Sequence, residues 1–142
     1  MKMIQLLFAR LTTGKNAPLF QSLACLALCV LVSSIGYVAG AVGTNPLFPW
    51  IIFSAFLLFY AVYNSIISVN AKQILYYFQR SIFGFLLYIL VGSTLSKVIS
   101  GLGMSEAGSM RWLIVVFSIS YLIFFVIMVL AKKIIEYAQR LN

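Results

Sequence analysis

Four long apolar runs, parted by short polar segments, set the pattern of this chain; they cover about residues 19–42, 47–69, 82–99 and 112–131. Each approaches the ~20 residues that a helix needs to cross a hydrocarbon core. The first opens behind Pro18, at the favoured first-turn position. The second is entered through "NPLFPW", whose two prolines predict an extended approach. Between the second and third runs lies the polar stretch "YNSIISVNAKQILYYFQRS", residues 63–81. Asn70 followed by Gln73 has the offset of a capping box, with asparagine in place of serine or threonine. On this reading Val69–Asn70 is the whole turn, and the third helix runs from Ala71 to about Ser100, ~45 Å at 1.5 Å per residue. Its first turns then lie in the interface, with Tyr76, Tyr77 and Phe78 in an aromatic belt and Lys72 and Arg80 at headgroup level.

Ahead of the first run, Ile4, Leu7, Phe8 and Leu11 follow helical spacing, with Lys2, Gln5 and Arg10 off that stripe. The pattern predicts a short amphipathic helix over 1–15, lying in the membrane interface. The opening resembles a secretory signal, and "AGA" at 39–41 resembles a cleavage site, but the apolar run is too long for an h-region. The fold class expected is therefore all-α: a polytopic four-helix transmembrane bundle forming one domain over 1–142. Its spans are 19–42, 47–69, 71–100 and 112–131, and 132–142 continue as a helical tail.

Composition supports a membrane class. Of 142 residues 63% are hydrophobic and 8% charged, against roughly 25% charged in soluble domains. The net charge of +8 would suggest nucleic acid in a soluble protein. Here the charges sit between apolar runs, so they read as orientation signals and contacts to anionic lipid, not as a nucleic-acid surface. Lys2, Arg10, Lys15, Lys72, Arg80, Lys132, Lys133 and Arg140 fall on one side, and only Lys97 and Arg111 on the other. The positive-inside rule then places both termini and the central connection in the cytoplasm. Lys72, Arg80, Lys132 and Lys133 are the expected headgroup contacts.

The chemical inventory is short. There is no histidine, and the two acids are Glu106 and Glu136, so histidine bases and haem or zinc ligation through histidine are excluded within the chain. Cys25 and Cys29, one turn apart in an apolar run, read as small packing residues. No acid lies in the membrane interior, which disfavours a proton-coupled carrier built on one. No "TVGYG"-type filter appears, and no serine triad can be assembled. A Ser96 or Ser100 dyad with Lys97 is disfavoured, because Lys97 stands where a lysine snorkels to the interface. Ser105 reads as a helix cap, with Glu106 in the first turn behind it. No catalytic, cofactor-binding or metal-binding residue is expected.

Three rows of residues go beyond topology. Gly36 and Gly40, extended by Ser33 and Gly43, form a small-xxx-small row in the first span. Gly84, Gly92, Ser96 and Ser100 form another in the third, interrupted by Tyr88. Such rows mark close helix–helix contacts, within the chain or between copies. In the second span Ser54, Ala61, Asn64, Ser65 and Ser68 make one polar side. Asn64 must find a partner, since an unpaired amide in lipid costs several kcal/mol. Its side chain is expected to reach the third or fourth span, or water in a recess.

The segments "FPW", "FYAVYNS", "YYFQRS", "SEAGSMRW" and "KKIIEYAQ" resemble signatures of a group of four-span inner-membrane proteins from Bacteroidota. The resemblance covers most of the chain from Pro49 onward. It implies an inner-membrane location and the same topology, and it brings no activity. The expected function is a non-enzymatic structural or accessory membrane protein, packing with itself or within a larger complex. The rival is a small pore or a carrier for a lipid or apolar solute, using the polar side of the second span.

Overall fold

Residues 1–13 and 17–142 are described by a computed structural model; the side chains of 11–13, and with them Leu11, and residue Lys15 lie outside the described set. The described residues form six helices and no strand: α1 (Lys2–Thr13), α2 (Ala17–Val38), α3 (Ala41–Thr44), α4 (Phe48–Ser68), α5 (Ile74–Ser100) and α6 (Met110–Leu141). Four of them, α2, α4, α5 and α6, are long and apolar enough to cross a membrane.

Mutual packing of α2, α4 and α5 makes the core, and α6 lies mainly along α4. It reaches α5 through two ring pairs, Phe78 on Phe125 at 3.8 Å and Phe85 on Tyr121 at 4.8 Å. The interior is aromatic: Trp50, Phe53, Tyr60, Phe85, Tyr88 and Tyr121 are all buried. α6 is the least covered span, and at 32 residues it is ~48 Å long, more than a ~30 Å hydrocarbon core requires. Its final turns, from Lys133 onward, stand free of the bundle. α1 exposes Ile4, Leu7 and Phe8 together with Met3 and Leu6, and Arg10 rests over the Phe20 ring at 5.9 Å, joining α1 to α2.

Three boundaries differ from the expected ones. The first span ends at Val38, not at residue 42, because Gly40 takes a left-handed conformation (φ 79°) open to glycine and strained for other residues. Residues 41–44 form the separate α3. Pro46 does hold Asn45 extended (φ −139°, ψ 97°), whereas Phe48, before Pro49, is already the first residue of α4. The third span starts at Ile74, not Ala71. The end of α4 unwinds through i→i+3 bonds, with Val69, Asn70 and Ala71 N–H closing on Ile66, Ile67 and Ser68 carbonyls. That geometry keeps Asn70 out of the capping position, which falls to Gln73 without a side-chain cap. Likewise Ser105 does not cap the last helix. Ser109 precedes it, and Glu106 instead accepts the Gly103 N–H at 3.0 Å.

Candidate functional site

The buried side of α4 carries Ser54, Leu57, Ala61, Asn64, Ser65 and Ser68, one stripe at helical spacing turned toward its neighbours. Its serines bond to their own helix. Ser54 Oγ donates to Trp50 O at 2.9 Å, Ser65 to Ala61 O at 2.7 Å and Ser68 to Ser65 O at 2.5 Å. Such back-bonding satisfies a hydroxyl without a partner from elsewhere. The small side chains therefore act here by letting other helices approach.

Asn64 behaves differently, because an amide one and a half turns inside α4 cannot satisfy itself. Its Nδ2 donates to Gln21 Oε1 of α2 at 2.5 Å, and its Oδ1 accepts from Ser81 Oγ of α5. Ser81 Oγ also meets the Tyr121 hydroxyl of α6. Tyr60 Oη, one turn along α4, donates to Ser81 O at 3.0 Å and approaches Pro18 O at 3.3 Å. Beside these, Ser22 Oγ of α2 donates to Gly84 O of α5 at 2.7 Å. One polar knot thus joins all four spans, and Asn64 and Ser81 at its centre are 0% exposed. Asn64 was expected to reach the third or fourth span; it reaches α5 directly, α6 through Ser81, and also α2, which was not foreseen. Tyr77, expected in the aromatic belt, is instead buried, its hydroxyl beside Gln21 without a hydrogen bond of ordinary geometry.

The small-residue rows divide. At Gly84 an added Cβ would stand 2.6 Å from Tyr60 Oη and 3.1 Å from Pro18 O, and at Gly92 it would stand 2.5 Å from the Phe53 ring. Gly36 is covered by the Phe48 ring, a side chain at the start of α4 and not a crossing helix backbone. Ser96 is buried and donates to Pro49 O at 3.4 Å. Gly40 is a correction: it lies beyond the end of α2 with nothing within 4 Å of a Cβ, so it packs no helix. Tyr88 does not interrupt the α5 row. Its ring stacks on Phe53 at 5.3 Å and its hydroxyl donates to Phe53 O at 3.0 Å, filling the space beside Gly92.

The basic residues at the end with the chain termini are partly engaged. Lys132 Nζ donates to Ala71 O, which pins α6 to the α4–α5 connection. Arg80 donates to Tyr76 Oη at 3.2 Å and 3.0 Å. Lys72 and Lys133 are exposed. Cys25 and Cys29 are buried free thiols, and no group of three or more His, Cys, Asp or Glu that could hold a metal occurs among the described residues.

Sequence reasoning missed Gln21, Ser81, Tyr60 and Tyr121. Gln21 and Ser22 do break the apolar run of the first span, and the cost argument applied to Asn64 applies equally to Gln21. The hydroxyls carried no such signal, since serine and tyrosine are tolerated in membrane helices. No protein-family model, curated protein or solved structure matches the chain. The site is therefore read from its own chemistry.

Proposed function

We propose that this chain is a non-enzymatic, multi-pass protein of the cytoplasmic membrane, acting as a structural or accessory subunit that packs with itself or within a larger membrane complex. The observation that carries this reading is the closure of the interior polar groups on one another. Ser54, Asn64, Ser65 and Ser68, the side a pore or carrier would need to wet, are at most 8% exposed. Such a knot holds helices in register, a use well matched to polar groups in membranes. The apolar side of α6, with Val116, Ile119, Ile123 and Ile127 exposed, offers surface to lipid or to a neighbouring helix.

Both termini are cytoplasmic in this reading, with α1 in the interface and Lys72, Arg80, Lys132 and Lys133 facing anionic headgroups. The inner-membrane placement also agrees with the resemblance to four-span Bacteroidota proteins. Cross-linking in native membranes followed by gentle purification tests the role. A discrete partner, or a second copy at fixed stoichiometry, is expected. Solute flux or lipid flipping by the purified chain in liposomes would overturn the reading in favour of transport.

A further inference from the structure

At the opposite end from the termini, a cavity of about 520 Å³ opens between α5, the α5–α6 connection and the start of α6. Trp50, Ser93, Thr94, Lys97, Ser105 and Arg111 line it. Its walls are tied together. Trp50 Nε1 donates to Leu102 O at 3.2 Å, Leu102 N donates to Ser100 Oγ at 3.2 Å, and Ser100 Oγ donates to Ser96 O at 2.6 Å. Ser54 Oγ approaches Met110 Sδ at 3.5 Å, which joins α4 to the first turn of α6.

Two cations face this space. Glu106, the one carboxylate in this part of the sequence, keeps its charge while accepting the Gly103 N–H, so two cations against one carboxylate leave an excess of one positive charge here. The hydroxyls sort by what they can still do. Ser93 and Thr94 spend their protons on Leu90 O, at 3.1 Å and 2.8 Å, which leaves their oxygens as acceptors. A ligand that suits the cleft is therefore an anion for Lys97 and Arg111 that also carries a donor for Ser93 and Thr94.

The surface leading to the cleft identifies the rest of that ligand. Phe83, Leu86 and Leu90 stand 60%, 53% and 69% exposed and, by 3–4-residue spacing, share one face of α5 with Ser93, Thr94 and Lys97. From Phe83 to Lys97 this track runs ~21 Å along the helix. It is apolar toward the middle of the span and hydroxylic, then cationic, toward its end.

We propose that this cleft is a binding site for one anionic phospholipid whose headgroup bears a hydroxyl or ammonium donor, with an acyl chain laid along Phe83, Leu86 and Leu90. The phosphate sits between Lys97 and Arg111, and the headgroup donor meets Ser93 and Thr94. Arginine and lysine both suit a phosphate, arginine through its planar fork. The site is separate from the basic cluster at the termini end, where a cavity of about 330 Å³ is lined by Lys2, Gln5 and Leu6.

Native mass spectrometry of the delipidated full chain in non-ionic detergent tests this, with equimolar dioleoyl-phosphatidylglycerol and dioleoyl-phosphatidylcholine as probes. The wild-type chain should retain the anionic phosphatidylglycerol in preference, and K97Q and R111Q should each lower that preference about fivefold, the scale of one basic residue near an anionic surface. R140Q, on the free end of α6, should leave the one-lipid adduct intact. Both cleft side chains are exposed, and a thermal melt in the same detergent shows whether the variants stay folded. If one of the two cleft variants fails to fold, the other carries the comparison. Equal retention of the two lipids, or a preference lost in R140Q and kept in K97Q and R111Q, overturns the proposal. Retention of sn-glycerol phosphate without lipid would assign the cleft to a soluble phosphate and overturn it as a lipid site.

Discussion

Asn64 is held on both sides, as donor to Gln21 and as acceptor from Ser81. Replacing it with leucine removes both bonds and leaves two buried polar side chains facing hydrocarbon. Interhelical hydrogen bonds in membranes are individually modest, so Asn64→Leu should cost about 0.6–2 kcal/mol. Unfolding of the purified variant in detergent measures this. Unchanged stability together with loss of a cross-linked partner would move Asn64 from a structural to a partner-binding role. The same logic marks Gln21, which is 3% exposed and accepts the Asn64 amide within the same knot.

At the scale of helices, the spacing between α4 and α5 depends on residues with no side chain to displace. An added methyl at Gly84 would collide with Tyr60 Oη and crowd Pro18 O, so both α4 and α2 resist it. Gly84→Ala is expected to cost about 1–3 kcal/mol, the usual range for forced overpacking. Gly43→Ala, with nothing within 4 Å and an ordinary backbone, should stay within about 0.5 kcal/mol of wild type. Thermal unfolding of the pair in one detergent gives the comparison, and equal effects would show that α5 does not set the spacing. The rows of small residues were visible in the sequence; which of them met another helix was not. Gly36, Gly40 and Gly84 look alike in spacing, yet a ring covers the first, open space surrounds the second and a hydroxyl and a carbonyl press on the third.

For the molecule as a whole, charge asymmetry carries the proposed orientation. Eight of the ten basic residues lie at the termini end and in the central connection, and only Lys97 and Arg111 at the other. The positive-inside rule then predicts that reporters fused after residue 45, after residue 75 and at the C-terminus read outside, inside and inside. Any other order would sink the proposed orientation. The two isolated cations gain meaning from this asymmetry. They are too few to orient the chain, and they meet at one cavity.

Hydrophobic periodicity and run length alone determined the all-helical class and four helices long and apolar enough to cross a membrane, because twenty apolar residues in sequence have few other stable fates. The cost of burying an amide likewise singled out Asn64 before any neighbour was known. Helix ends escaped this reasoning, since a left-handed Gly40 and an unwinding turn after Ser68 are decided by how the chain must return to the bundle. Partners escaped it more completely. Gln21, Ser81 and Tyr121 lie 43, 17 and 40 residues from the groups they bond, Asn64, Asn64 and Ser81 in turn. Hydrogen bonds across such separations exist only after helices have chosen their faces and crossings. The cleft of Trp50, Lys97 and Arg111 arises in the same way, where packing brings Trp50 of α4 to the α5–α6 corner that carries both cations.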